Sequence, residues 1–132
     1  MSSFVKGYAD DAGCDVILKK NVIFNPQETQ VIDLEVTATP VENTMGFLCS
    51  RTSAAKKGLI VATCPIDPNY NGTIHAIVHN VSNDTIIYFK GEAFCQLVFV
   101  PILTNIVNAK IKKQGKRSSG NFGSTGGDGN VC

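Results

Sequence analysis

Residues Cys64 to Gly72 read CPIDPNYNG, and this segment joins two apolar runs, LIVAT before it and TIHAIV after it. Proline fixes the backbone angle φ, and Asp, Asn and Gly favour turns, so we predict a rigid turn between two strands that meet at a hairpin. The turn carries one carboxylate, Asp67, between two prolines. Taken alone, this pattern favours an Asp that stabilises its own turn over a positioned catalytic base.

Short apolar runs separated by turn-forming clusters make up most of the chain. They recur at roughly ten-residue spacing, which is typical of an all-β sandwich, barrel or jelly roll. The predicted strands are Cys14–Lys19, Thr29–Val36, Met45–Cys49, Leu59–Thr63, Thr73–Val78, Thr85–Phe89, Phe94–Val100 and Ile106–Ile111. The pattern by itself leaves the three architectures open.

One segment, Thr52–Lys57, is predicted to be helical. Thr52 or Ser53 would cap its first turn and Gly58 would end it. A helix this short is marginal alone, so packing against the strands must stabilise it.

Length and composition indicate one folded domain followed by an arm. The chain has 132 residues, of which 43% are hydrophobic, and its formal net charge is +1. From Lys112 onwards it is rich in glycine and nearly free of apolar side chains, so we predict a folded domain over residues 1–111 and a flexible Gly-rich C-terminal tail over 112–132. This tail is either a disordered extension or a lid that orders on a ligand.

The sequence disfavours a disulfide framework, a zinc site, a P-loop and an exported protein. The five cysteines contain no CxxC pair, which favours free thiols in a reducing compartment over a disulfide framework or a zinc ribbon. His75 and His79 would lie about 13 Å apart on one strand, too far to share a metal ion. GSTGG lacks the following Lys-Ser/Thr of a P-loop. The N-terminus lacks a signal-like apolar segment, so we expect a cytoplasmic protein (host cytoplasm if the gene is viral), with no membrane and no specific nucleic acid as partner.

Five separated motifs carry a more specific signal. They are AGCD at 12–15, SRTS at 50–53, PIDPNYNG at 65–72, GEAFCQL at 91–97 and RSSGNFGSTG at 117–126. In kind and order these motifs resemble the five motifs of the trimeric dUTPase family. The resemblance implies a distorted jelly roll or β-barrel with one short helix. It also implies hydrolysis of dUTP to dUMP and pyrophosphate with Mg²⁺, which limits uracil incorporation into DNA and supplies dUMP for dTMP synthesis.

The resemblance further implies a homotrimer whose active sites are shared between subunits: one contributes the hairpin, a second the phosphate-binding residues and a third the tail. On the hairpin, Asp67 would activate the attacking water on the α-phosphate. Tyr70 would lie under the deoxyribose and leave no room for a 2′-hydroxyl. The hairpin backbone, including Ile66, would bind the edge of the uracil.

The phosphate-binding set implied by the resemblance comes from three motifs. Arg51, Thr52 and Ser53 would bind phosphate oxygens, and Gln96 would add another contact. A polar residue in the otherwise apolar run AFCQLVF needs a partner, which agrees with this role. Asp15 would act near the phosphate-bound Mg²⁺, through water.

The tail supplies the remaining implied contacts. Arg117 would pair with the γ-phosphate and Phe122 would stack on the uracil ring. Gly123, Ser124 and Thr125 would bring backbone and hydroxyl groups to the substrate.

The sequence departs from the family pattern at three positions: Cys64 and Asn121 replace common glycines, and Thr52 replaces a serine. The related dCTP deaminases carry a glutamate in the strand after the hairpin, and here that strand, TIHAIVHN, has no acid, which argues against deamination. A second role as a regulatory binding protein, with an unknown protein partner, stays open.

Overall fold

The computed structural model describes residues 3–103. In this part of the chain, short antiparallel strands form three sheets. The strands are β1 (Phe4–Val5), β2 (Cys14–Val16), β3 (Val22–Phe24), β4 (Thr29–Asp33), β5 (Thr44–Ser50), β6 (Leu59–Val61), β7 (His75–Asn80), β8 (Ile86–Tyr88) and β9 (Cys95–Pro101). One helix, α1 (Thr52–Lys57), follows β5. The predicted all-β jelly roll with one short helix is therefore confirmed.

The sheets have the orders β1-β2-β9-β5, β3-β8 and β4-β7-β6. Their inner faces enclose a single apolar cluster. At its centre Phe24, Tyr88 and Phe94 meet edge to face, with ring centroids 5.1 to 6.4 Å apart. Such edge-to-face pairs add stabilisation to the burial of the rings, so they hold sheet β3-β8 against the strand that carries Gln96.

The sequence misplaced some strand boundaries and missed two strands, β1 and β3. The predicted strand Thr29–Val36 ends at Asp33. There the Asp33 Oδ1 atom accepts a hydrogen bond of 2.8 Å from the Glu35 backbone N–H, and Glu35 adopts a φ of 57°. This local turn forms a bulge: the Leu34 N–H still donates to the Ile74 carbonyl and the Val36 carbonyl still accepts from the Ile74 N–H, and both side chains point into the core.

Helix α1 has the predicted bounds, but its N-terminal cap differs from the prediction. The capping position is Arg51, in extended conformation and without a side-chain capping bond, so the proposed caps at Thr52 and Ser53 were wrong. Gly58 ends the helix as predicted, with a φ of 106° that glycine adopts at little cost. Because neither hydroxyl is used in capping, both remain at the start of the helix for another function.

Two sequence predictions, the strand Ile106–Ile111 and the tail 112–132, lie outside the described residues. Within residues 3–103, no helix has the length and apolar character needed to span a bilayer.

Candidate active site

The segment between β6 and β7 is a long loop anchored on a different sheet. Strands β6 and β7 pair antiparallel as predicted. However, the chain leaves this pair after Ala62 and runs to β5, where Ile66 and Gly46 exchange two backbone hydrogen bonds of 2.6 and 3.0 Å. The expected tight hairpin is thus a loop that ties two sheets together.

A tight turn does form at the tip of this loop. The backbone N–H of Tyr70 donates to the carbonyl of Asp67 at 3.1 Å, and Asn69 adopts a φ of 66°. Proline at the second turn position and a positive φ at the third are the features of a type II turn. The Asn69 N–H also donates to the carbonyl of the buried Pro40 at 3.0 Å, so the turn that carries Asp67 is fixed to the body.

Tyr70 is held at both ends of its side chain. Its ring packs against the edge of the core, and its hydroxyl donates to the Thr73 carbonyl at 2.8 Å. A ring restrained in this way can serve as a fixed wall for a ligand bound at the turn.

A separate cavity of about 470 Å³ opens at the far end of β5. Its lining includes every phosphate-binding residue predicted on the body, together with the predicted metal-proximal acid. These are Asp15, Arg51, Thr52, Ser53 and Gln96. We call this cavity the phosphate pocket.

Strand register explains why these side chains converge. Gln96 on β9 lies directly opposite Asp15 on β2 and opposite Cys49 on β5, so all three side chains project from the same face of the sheet. Gly13 makes room for them, because a Cβ atom there would come within 2.9 Å of the Gln96 Oε1 atom. Arg51 follows directly at the end of β5 and brings a cation beside Asp15.

Arg51 is oriented by two contacts. Its Nε atom lies 3.2 Å from the Asp15 Oδ1 atom, and its Nη1 group donates to the Ala93 carbonyl at 3.1 Å. A guanidinium has five N–H groups, and these contacts use two of them, which is compatible with phosphate binding by the same side chain. Both partners of the ion pair are partly exposed, so the pair orients Arg51 more than it stabilises the fold.

Two cysteines lie near Gln96: Cys49 is opposite it on the same face of the sheet, and Cys95 points into the core from the other face of β9. Burial raises the pKa of the Cys49 thiol, and its side-chain hydrogen bond with Gln96 opposes this shift. Burial also raises the pKa of Cys95 to about 12, with smaller contributions from the charges of Cys49 and Asp15. Both thiols are therefore uncharged at neutral pH.

The carboxylates of the phosphate pocket do not form a metal cage. Among residues 3–103, no three His, Cys, Asp or Glu side chains are close enough together to hold a metal ion. Asp15 and Asp11 both line the pocket. Mg²⁺ usually keeps several waters and takes one or two carboxylates plus substrate phosphates, so this donor set fits a substrate-bound Mg²⁺.

One chain does not bring the two predicted halves of the site together. Ile66 joins β5 at Gly46, whereas Arg51 follows its other end, five residues or about 16 Å further along the strand. Neither Asp67 nor Tyr70 is among the residues that line the phosphate pocket. Within residues 3–103 of one chain, the predicted base and the predicted phosphate contacts therefore lie at opposite ends of β5.

The sequence missed two polar residues that line the phosphate pocket and one residue, Cys49, that contacts its lining residue Gln96. Tyr8 and Asp11 belong to its rim, where the Tyr8 N–H donates to the Asp11 Oδ2 atom at 2.8 Å. The turn-forming run ADDAG gave a signal for a loop there but not for its position. Cys49 was read only as a strand residue. The predicted contacts Arg117, Phe122, Gly123, Ser124 and Thr125 lie outside the described residues.

Comparisons with known proteins agree with these motifs. The dUTPase family model matches residues 1–126. The Pol polyprotein of equine infectious anemia virus (strain Wyoming) is 30% identical over 121 residues, which are 89% of this chain but 10% of the polyprotein. The chain thus spans about a tenth of that relative.

Two further relatives are enzymes of similar length. The deoxyuridine 5′-triphosphate nucleotidohydrolase of Hydrogenobaculum sp. (strain Y04AAS1) is 35% identical over 109 residues, with 80% of this chain and 76% of that protein covered. The dUTPase of Staphylococcus bacteriophage 80alpha, solved with dUpNHpp, superposes with a TM-score of 0.71 at 27% identity and covers 95% of this chain and 92% of its own. The chain belongs to the dUTPase family of enzymes.

Proposed function

We propose that this chain hydrolyses dUTP to dUMP and pyrophosphate in a site shared between copies of the chain. The observation that carries this proposal is the convergence of Arg51, two helix-start hydroxyls and Gln96 on one cavity beside the Asp15 carboxylate. Such a set of donors suits a polyphosphate. The Hydrogenobaculum relative is a deoxyuridine 5′-triphosphate nucleotidohydrolase and the phage relative was solved with dUpNHpp, which supports uracil-containing deoxynucleotides as substrates.

In the proposed reaction Asp67 is the general base. Its carboxylate takes a proton from a water molecule whose oxygen attacks the α-phosphorus. The bond from that phosphorus to the bridging oxygen breaks, and pyrophosphate leaves with the electron pair. The type II turn and its bond to Pro40 support this role, because a general base must be held at a fixed distance from its water.

The same turn would select the nucleoside. Tyr70 would lie against the deoxyribose and exclude a ribose 2′-hydroxyl. The loop backbone next to Ile66 would pair with the uracil edge, while the N–H and C=O of Ile66 itself bond to Gly46 and fix the loop to β5. A base that left these backbone groups unpaired would lose about 1–3 kcal/mol for each of them.

Arg51, Thr52, Ser53 and Gln96 would bind the phosphates and stabilise the charge that develops on the leaving group. A neighbouring cavity of about 360 Å³ shares Asp15, Arg51 and Ser53 with the phosphate pocket, so the two provide room for an extended triphosphate. Asp15 would hold Mg²⁺ through water, and Mg²⁺ when bound would neutralise phosphate oxygens.

We further propose a homotrimer. The sheet face that carries Gln96 continues into an apolar surface of half-buried side chains. These are Met45 and Phe47 on β5 and their cross-strand partners Val100 and Val98 on β9. A second copy packed on this surface would cover it and bring its own loop, with Asp67, towards the phosphate pocket.

The proposal extends to an arm over residues 112–132 that follows a folded domain of residues 1–111. In it Arg117 would bind the γ-phosphate, Phe122 would stack on the uracil, and Gly123, Ser124 and Thr125 would close over the phosphates. Deletion of residues 116–132 should leave assembly unchanged and reduce turnover strongly. Full activity of the shortened chain would contradict this part of the proposal.

The direct test is turnover of dUTP with Mg²⁺, followed by pyrophosphate release. UTP, dTTP and dCTP serve as matched controls, because each differs from dUTP at the sugar or the base alone. We expect rapid cleavage of dUTP and slow cleavage of the other three. No cleavage of dUTP, or equal cleavage of UTP, would contradict the proposal.

A further inference from the structure

The Thr73 carbonyl points towards the side of β7 on which β6 pairs, but β6 ends before it reaches Thr73. Side chains contact this carbonyl in place of the strand. Carbonyls two residues apart on a strand point to the same side, and the Ile77 carbonyl accepts from Ala62 at the end of β6 at 2.8 Å. The Thr73 carbonyl therefore points to the same side as β6, beyond the point where this strand ends at Val61. It accepts there from the Tyr70 hydroxyl at 2.8 Å and contacts the His75 Nδ1 atom at 3.2 Å.

His75 connects this carbonyl to strand β4. Its Nε2 atom lies 3.6 Å from the Asp33 Oδ2 atom, and the two residues are directly opposite each other in the β4–β7 ladder. The other Asp33 oxygen accepts from the Glu35 N–H at 2.8 Å, which fixes the carboxylate. Because a carbonyl oxygen can only accept, the His75 Nδ1 atom donates in the contact with Thr73, and the Asp33 carboxylate lies on the other side of the ring beside Nε2.

We propose that His75, anchored by Asp33, is a positioning residue that sets the discrimination between deoxyribose and ribose. It acts through the Thr73 carbonyl, which holds the Tyr70 hydroxyl and hence the ring. This inference rests on the proposed function, in which Tyr70 is the wall against the 2′-hydroxyl.

Steric exclusion of the ribose 2′-hydroxyl requires that the Tyr70 ring cannot move away from it. An added hydroxyl is a small change, and a pocket that yields by a fraction of an ångström rejects it only weakly. The Tyr70 ring packs against the core on its inner side, and the bond to Thr73 restrains its hydroxyl end. A carbonyl held by a second donor is less free to move, and His75 is this second donor.

The chain contains a matched control in His79. It lies four residues further along β7, on the same face and equally half-buried. Its Nδ1 atom contacts the Thr29 hydroxyl of β4 at 2.7 Å, at the end of the sheet away from Thr73. Loss of His79 removes a similar cross-strand contact without touching the Tyr70–Thr73 bond.

The experiment compares kcat/KM for dUTP and for UTP in the wild type, His75→Ala, His75→Asn and His79→Ala. We expect the dUTP/UTP ratio to fall about tenfold in His75→Ala, chiefly because UTP improves. Asparagine places an N–H near the position of Nδ1, so His75→Asn should recover most of the ratio. His79→Ala should keep the wild-type ratio. A ratio in His75→Ala that equals the wild-type value would overturn the inference.

A substitute variant and the ratio of the wild type decide the remaining cases. If His75→Ala does not fold, Asp33→Asn takes its place, since it keeps the oxygen that accepts from Glu35 but weakens the anchor of His75; an unchanged ratio then overturns the inference. If the wild type shows no preference for dUTP, the proposed function fails and the inference fails with it. If the wild type prefers dUTP and the His75 variants share its ratio, the inference alone fails.

Discussion

At the scale of single residues, Asp67 gives the sharpest test of the chemistry. We expect Asp67→Asn to lower kcat by about 10²–10⁴-fold, because an amide cannot take the proton of the attacking water. The turn itself should persist, since it is closed by the backbone carbonyl of Asp67 and asparagine also favours turns. Pyrophosphate release and a thermal melt measure both effects.

The control is Asp84→Asn, which alters an exposed carboxylate in another turn and should leave kcat unchanged. Wild-type turnover in Asp67→Asn would remove Asp67 as the base. A large loss of stability in this variant would instead assign the carboxylate to the turn, which is the role that the segment alone favoured.

The raised pKa of the buried Cys95 thiol predicts that the free energy of unfolding falls at alkaline pH. Its pKa is raised from 9.0 to about 12 in the folded protein by burial, so the unfolded chain releases this proton first. The stabilising contribution of the neutral thiol is complete below pH 9.0 and is lost as the pH rises towards about 12. The free energy of unfolding should fall by at most about 1.4 kcal/mol per pH unit from this group. Denaturant titrations of the wild type and Cys95→Ala between these pH values measure the difference. Equal slopes would contradict it.

Residue types in the phosphate pocket could be predicted because the motifs name them. Gln96 is a polar residue in an otherwise apolar run, and Arg51 is a cation flanked by hydroxyl residues, which marks both as functional. The contact between Cys49 and Gln96 could not be predicted, because it depends on the register of β5 against β9. The link from Tyr70 through Thr73 to His75 was hidden for the same reason, since it needs the position at which β6 ends.

At the scale of elements, Gly58 ends helix α1, whose first residues Thr52 and Ser53 line the phosphate pocket. Its φ is 106°, and an added Cβ would lie 3.0 Å from the Ser82 Cβ. We expect Gly58→Ala to lower the free energy of unfolding by about 2–3 kcal/mol, from backbone strain plus this contact. Thermal and denaturant unfolding measure the loss.

Gly91→Ala is the matched control for this prediction. Gly91 has a similar φ of 93°, but a Cβ there meets no atom of residues 3–103 within 4 Å. The loss should therefore be about 1–2 kcal/mol, from backbone strain alone. A loss in Gly91→Ala that is as large as in Gly58→Ala would show that the contact with Ser82 contributes nothing.

The elements themselves were predictable where a local signal marks them. Gly58 marked the end of α1, the alternation of residues 45–49 located β5, and an apolar run located β9. Alternation failed at Asp33, because a side-chain bond to the Glu35 N–H ends β4 while the apolar pattern continues. The long loop after β6 was expected to be a tight hairpin, since nothing local reports that Ile66 pairs with β5.

At the scale of the whole molecule, the separation between Asp67 and the phosphate pocket predicts complementation between inactive chains. The loop joins β5 at Gly46 and Arg51 lies about 16 Å further along. If each site takes its base from one copy and its phosphate contacts from the next, Asp67→Asn and Gln96→Ala damage different halves. When equal amounts of the two variants assemble at random into closed rings, each site has an intact base with a probability of about one half. It has intact phosphate contacts with the same probability, so about a quarter of the sites have both.

We therefore expect two nearly inactive variants to regain about a quarter of the wild-type rate after they are unfolded together and refolded as mixed trimers. Each variant carried through the same treatment alone is the control and should stay inactive. A double variant, Asp67→Asn with Gln96→Ala, mixed with wild type tests the same geometry from the other side, since about a quarter of its sites also combine two intact halves. If the two single variants mix into trimers and no activity returns, base and phosphate contacts belong to one chain. The loop would then have to cross the length of β5 on substrate binding.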